Sequence, residues 1–268
     1  MMLILILSLF LALIIFAIIR YSFLVPPVEG LPVLMYHKID SSIPPDHLNV
    51  RCDQFEKQLQ FLNSRKYSTI SFGQLLDYVR TGIPLPPRPV MITFDDGYKN
   101  NFTQMYPLLK KYNCRGNIFL VSSFINRLPS PTDPNEYMTV DDLNNMDAEI
   151  IQYGLHTYDH LDYNKLDAQA IEHDLKKSKK QLNEYGIEFT PCFAYAYGSY
   201  PKKDIEKRKK LFDILESNGI GLAFRIGNRI NKLPLQNKFL VERIDIRGTD
   251  SFFEFKTKLK KGRVKLFG

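Results

Sequence analysis

Apolar residues crowd the start of the chain and then thin into a rhythm. From residue 1 to residue 19 only Ser8 is polar, and Arg20 closes the run. At about 1.5 Å of rise per residue, a helix of that length reaches across most of a hydrocarbon core of roughly 30 Å. The run is apolar all round, unlike a helix half-buried in a soluble core. It also lacks the basic start, shorter apolar stretch and small-residue exit of a cleaved signal peptide, the competing reading. Residues 1–20 are therefore expected to be one membrane-spanning anchor. Residues 21–30, with Pro26, Pro27, Glu29 and Gly30, read as a short stiff linker.

From Leu31 onward, short apolar runs alternate with longer segments of helical period. The runs predict strands at 33–36, 67–70, 90–94, 117–121, 150–154, 192–195, 221–225 and 239–244. Asp53 is placed to cap a helix that puts Phe55, Leu59 and Leu62 on one face, and Ser71 to cap a second that ends near Gly82. Residues 171–185 form a third, with Leu175 and Leu182 inward, lysines outward and Gly186 as left-handed terminator. Strand followed by helix, many times over, predicts an α/β fold: a parallel barrel or a doubly wound sheet. Both carry their chemistry at the C-terminal ends of the strands.

Composition narrows this only slightly. The 268 residues are 44% hydrophobic and 24% charged, enough for one large domain or two small ones. Lysine and arginine exceed aspartate and glutamate by 36 to 29, a net +7, and the excess bunches at 202–210 and 256–265. Such runs are usually solvated faces; the alternative is attraction to an acidic surface, either anionic lipid headgroups or an anionic glycan. No aromatic platform is interleaved with them, so no nucleic-acid partner is expected. Cys52, Cys114 and Cys192 are odd in number and far apart, and form neither a disulfide framework nor a paired metal motif.

Two clusters carry chemistry. The strand at 90–94 runs straight into Asp95-Asp96-Gly97-Tyr98, placing adjacent carboxylates where an apolar strand stops. Bare charges are costly there, so the pair implies a cation, a basic partner or an Asp-Gly turn. The second cluster, His156-Thr157-Tyr158-Asp159-His160, follows the strand at 150–154 and holds two of the five histidines. At that spacing two imidazoles can face one ion, or simply share a surface loop. Each cluster follows a strand, so both fall on one face of a parallel sheet or barrel. A carboxylate with two imidazoles makes a three-ligand site with positions left for water, as hydrolytic metals use.

Thr93-Phe94-Asp95-Asp96-Gly97-Tyr98, then His156-Thr157-Tyr158-Asp159-His160, then Phe193-Ala194-Tyr195-Ala196-Tyr197-Gly198 resemble the ordered motifs of the polysaccharide deacetylases, the NodB homology domains of carbohydrate esterase family 4. Pro32-Val33-Leu34-Met35-Tyr36-His37 is similar to the opening of the subgroup that includes biofilm poly-N-acetylglucosamine deacetylases. The resemblance covers roughly residues 31–248. It implies a distorted (β/α)7-type barrel over 31–268, preceded by the single N-terminal transmembrane helix, and a hydrolase that removes N-acetyl groups from an N-acetylhexosamine polysaccharide. It makes Asp95 the general base and Asp96, His156 and His160 the ligands of one divalent metal. Zinc suits that set best, with cobalt, nickel or manganese as alternatives. The loop holding Tyr195 and Tyr197 is implied to form part of the acetate pocket. A smaller or lipid-linked acylated sugar, or a non-catalytic glycan-binding role, would use the same fold.

Departures from the family pattern leave roles open. No histidine follows His173, so the late histidine that serves as general acid in longer-studied members is missing. His37, after the first strand on the same face, is the candidate to replace it. Ala196 stands where related sequences often carry proline. Arg243 matches a late arginine of the subgroup, placed either to hold Asp95 ionised or to form a surface ion pair. Asn101-Phe102-Thr103 matches a glycosylation acceptor by a short pattern. Arg20 lies on the domain side of the apolar run, which by the positive-inside rule favours a cytoplasmic domain. Polymers of the implied kind lie outside the membrane, and on that ground the domain is expected to be extracytoplasmic.

Overall fold

The computed structural model describes residues 2–20 and 26–264. Helix α1 (Met2–Arg20) comes first. Its described side chains, residues 6–16, are exposed, with large apolar residues 41% to 64% accessible. They account for about 16 Å of helix, about half of a hydrocarbon core. Among the described residues no helix is long and apolar enough to cross a membrane, so the spanning anchor expected over 1–20 is not supported. Part of the expected linker, 21–25, lies outside the described residues, as do the last four positions of the expected domain.

The remainder alternates strand and helix as the apolar rhythm predicts. In order come β1 (Val33–Tyr36), the two-residue strands β2 (Lys38–Ile39) and β3 (Asn49–Val50), α2 (Cys52–Ser64), β4 (Ser68–Ile70), α3 (Phe72–Thr81) and β5 (Pro89–Asp96). Then follow α4 (Tyr106–Lys111), β6 (Gly116–Leu120), α5 (Val140–Asn144), β7 (Ile151–Leu155), α6 (Ala168–Glu184) and β8 (Cys192–Ala194). The chain continues through α7 (Ile205–Ser217), β9 (Leu222–Ile226), β10 (Val241–Asp245) and α8 (Phe252–Lys261).

Seven strands close into a parallel barrel. Closure falls at β1, where Leu34 registers with Ile244 of β10 on one side and with Ile92 of β5 on the other. The eighth predicted strand, β4, lies beside the first half of β5, Ser68 against Pro89, and gives way to β6 beside the second half. Asn117 of β6 bridges the changeover: its side chain donates to the carbonyls of Ile70 and Ile92 and accepts from Phe72 N–H. Strand alternation sends Leu34, Ile92 and Phe94 out under the helices, and Val33, Met91, Phe119, Phe224 and Val241 into the barrel. Phe119 packs at a tilt between Phe72 and Phe224, with ring centroids at 4.6 and 5.2 Å, inside the barrel.

Local signals account for the helix ends, with one correction. Ser71 and Gln74 form a capping box at α3, which Gly82 ends at φ 77°. α6 opens three residues before the predicted start, because Asp167 caps it by accepting from Ala170 N–H. The expected Asp53 cap does not form. α2 opens on Arg51, and Asp53 sits in the first turn, where it pairs with Arg51.

Candidate active site

The alternation that builds the barrel also aims the first carboxylate. Met91, Thr93 and Asp95 share a phase along β5, so Asp95 points into the barrel mouth from the strand's C-terminal end. Arg243 shares the inward phase of Val241 on β10 and meets it there. Two parallel bonds, Nη1 to Oδ1 at 2.5 Å and Nη2 to Oδ2 at 2.8 Å, join the pair. Both residues are buried, so the pair is no surface bridge. Burial by itself would raise the Asp95 carboxyl, but the guanidinium, followed by the His156 and His37 imidazoles, outweighs it and holds the group at about 2.

Asp96 leaves the alternation. Its backbone turns left-handed, φ 73°, which carries the carboxylate to the mouth beside its neighbour. Oδ1 lies 3.5 Å from His156 Nε2 and 3.4 Å from His160 Nε2. One atom from each of Asp96, His156 and His160 lies within 4.8 Å of the others. Asp96 Oδ1 is buried, with no hydrogen-bond partner among the described residues. A buried carboxylate oxygen costs several kcal/mol unless a donor or cation meets it. The orphaned oxygen and the two imidazole nitrogens around it therefore fit a divalent cation. Tyr98, buried and hydrogen-bonded to Asp96, has its hydroxyl pushed up, by burial first.

The histidine loop is braced from behind. His156 Nδ1 lies 2.8 Å from the Ala194 carbonyl, which takes the ring's N–H and leaves Nε2 as the lone pair facing Asp96. Burial, ahead of the opposing pull of Asp95, pushes the His156 ring down to about 4, so it is neutral near pH 7. Thr157 and His160 hold φ of 68° and 54°. Such backbone is costly for residues with side chains and persists only where neighbours over-determine it. Here α6 does so. Asp174 Oδ2 accepts from Tyr158 N–H at 2.9 Å and from the Tyr163 hydroxyl at 2.7 Å. Ser178 donates to the Thr157 carbonyl and bonds the Ser122 hydroxyl.

The remaining expected residues divide. His37 follows β1 as predicted, its Nε2 4.0 Å from Asp95 Oδ2. Tyr197 lies on the rim, 67% exposed, its ring edge-on to His160 at 4.5 Å. Tyr195 is not brought to the mouth: its ring is fully buried and its hydroxyl donates to the Phe239 carbonyl. Asn101 is also buried and donates to the His37 carbonyl, which removes it as an accessible glycosylation acceptor. Sequence reasoning missed Asp174 and Ser178. The available signal was their place on the apolar stripe of Ile171, Leu175 and Leu182.

A parallel barrel whose mouth gathers an Asp-His-His cluster beside an arginine-clamped carboxylate has the donor set that hydrolases built around one divalent cation use. The family model of the polysaccharide deacetylases matches residues 82–212. YxkH of Bacillus subtilis is 29% identical over 180 residues, 67% of this chain and 61% of that protein. The poly-beta-1,6-N-acetyl-D-glucosamine N-deacetylase of Staphylococcus aureus is 26% identical over 220 residues, 77% of this chain and 70% of that enzyme. The Streptococcus pyogenes deacetylase PplD, solved in complex with acetate, superposes with a TM-score of 0.72 over 87% of this chain and 99% of its own, at 20% identity. That likeness shows the fold.

Proposed function

We propose that this protein is a metal-dependent deacetylase that releases acetate from the N-acetylhexosamine units of a polysaccharide. The observation that carries the reading is the division of labour between two adjacent aspartates. Asp95 is held ionised by Arg243, while Asp96 is left with a bare buried oxygen between two imidazoles. Asp96, His156 and His160 would hold the cation, zinc by preference for such a donor set. When bound, the cation supplies polarisation of the amide carbonyl and activation of water.

The chain's own residues supply the rest. Asp95 accepts the proton of the attacking water. Its clamp keeps it ionised and fixed in orientation, at the cost of low basicity. His37, with Nε2 4.0 Å from Asp95 Oδ2, protonates the departing amine. Tyr197 offers an exposed ring at the rim as a face for a sugar. Polymers of this kind lie outside the cytoplasmic membrane, so we place the barrel there, with the apolar side chains of α1 seated in a lipid surface.

The test is acetate release from N-acetylglucosamine oligomers by the chain stripped of metal and then given zinc, cobalt or manganese. Release is expected only with metal, and neither Asp95→Asn nor Asp96→Ala should support it. Release without metal, or full release by Asp96→Ala, would overturn the site assignment. Tight metal binding with no acetate from any oligomer would overturn the substrate.

A further inference from the structure

The basic end of the chain takes no part in the site described above. α8 carries Lys258, Lys260 and Lys261 in its last turn. Between its outer face and the C-terminal end of α2 runs a groove of about 360 Å³, lined by Arg65, Lys256, Lys260 and Lys261 with the rings of Phe61 and Phe253. That lining holds four cations and no carboxylate among the described residues. Some surface cations elsewhere meet acids, as Lys111 meets Glu56 and Lys238 meets Glu216, each at 2.6 Å. Here Arg65 and Lys256 sit over rings instead, 5.7 Å from Phe61 and 5.1 Å from Phe252. Phe253, in the first turn of α8, is 54% exposed. Clustered cations with no acid among them match the headgroup region of an anionic bilayer, where phosphates meet the charges.

The position of the groove fits that partner. Val28 N–H donates to the Lys260 carbonyl at 2.9 Å just before the chain enters β1, and Arg65 lies between α2 and β4. The Lys260 end therefore lies at the strand N-termini, the opposite end of the barrel from Asp95 and Asp96. From Arg20 to Val28 the chain advances eight residues, a reach of at most about 28 Å. Whatever surface takes up the exposed apolar side chains of α1 thus keeps the groove close to itself.

We propose that the groove between α2 and α8 is a docking face for an anionic lipid headgroup layer, seating the barrel with its catalytic mouth turned away from the bilayer. Each basic residue near such a surface strengthens binding by about fivefold, so three together contribute about a hundredfold.

The test is co-sedimentation of the full chain with phosphatidylcholine vesicles and with vesicles that also contain phosphatidylglycerol. The readout is the ratio of the two affinities, because α1 can bind either. Arg65→Gln/Lys256→Gln/Lys260→Gln is expected to lose about a hundredfold of the anionic preference while acetate release is retained. The control, Lys203→Gln/Lys209→Gln/Lys210→Gln, removes equal charge from α7 and the segment just before it and is expected to keep the preference. Equal loss in both variants would mean net charge alone and overturn the docking face, as would no loss in either. Equal affinity for a soluble polyglycerol phosphate would make the occupant an anionic polymer and overturn the lipid assignment. A fluorophore at position 263 should be quenched by headgroup-linked quenchers, and one at position 128 should not; the reverse would overturn the orientation.

Discussion

Replacing Arg243 with methionine keeps much of the side-chain volume and removes the charge that faces Asp95. The drop of the Asp95 carboxyl from 3.8 to about 2 corresponds to about 2.4 kcal/mol, at 1.36 kcal/mol per tenfold change in proton affinity. The loss in the variant should exceed that, because a buried carboxylate stripped of its partner keeps its full burial penalty; breaking such pairs costs about 3–5 kcal/mol. Urea denaturation of the metal-free protein at pH 7 should show this deficit with an unchanged slope. Its pH dependence has a definite sign. Asp95 is depressed in the folded state, so the stability it contributes is complete above its ordinary value and lost as pH falls through about 2. The deficit of Arg243→Met against the parent should therefore shrink on acidification through that window. Asp95→Asn/Arg243→Met, which leaves no bare charge, should recover much of the loss. A deficit under about 1 kcal/mol, the range of exposed pairs, would refute the reasoning. So would a double variant as unstable as the two single losses added together.

Asp174 touches no ligand atom of the site, yet it holds the loop between His156 and His160. Asp174→Ala should weaken zinc binding by about 10–100-fold, the usual cost of an outer-shell partner, and Asp174→Asn, which keeps an acceptor, should recover part of it; calorimetric titration separates the two. Tyr197→Ala, at a position 67% exposed, should change stability by no more than about 0.5 kcal/mol. In steady-state kinetics it should raise KM for long oligomers with kcat unchanged, and an unchanged KM would remove Tyr197 from the sugar-binding face. Gly198 holds φ 62°, and an added Cβ would lie 2.8 Å from Ile226 Cβ and 2.9 Å from its backbone nitrogen. Gly198→Ala should therefore cost about 1–3 kcal/mol in thermal or urea unfolding.

Sequence alone determined the strand–helix rhythm, the eight strands, the parallel α/β class and the two clusters at strand ends. Apolar alternation and helix caps are local properties, readable wherever short-range energetics agree with the final fold. It left open whether Arg243 was a buried partner or a surface charge, because 148 positions separate it from Asp95 and only barrel closure brings their inward phases together. It placed Tyr195 and Tyr197 in one loop but could not tell that a left-handed turn at Tyr197 sends one ring to the rim while the other stays in the core. Asp174 and Ser178 fall on the apolar stripe of α6 and belong to no motif that marks them out in the sequence. Their worth lies in strained backbone at Thr157 and His160, which exists only once α6 packs behind the loop. The apolar run at the start read as a spanning anchor on length and composition, an expectation the described part of α1 does not support. The basic run near the end read as a solvated face or, alternatively, as attraction to an acidic surface, and only the packing of α8 against α2 gathered Arg65 with Lys256 and Lys260 into one groove. What depended on neighbours in sequence was legible beforehand; what depended on which residues meet across the barrel had to wait for its closure.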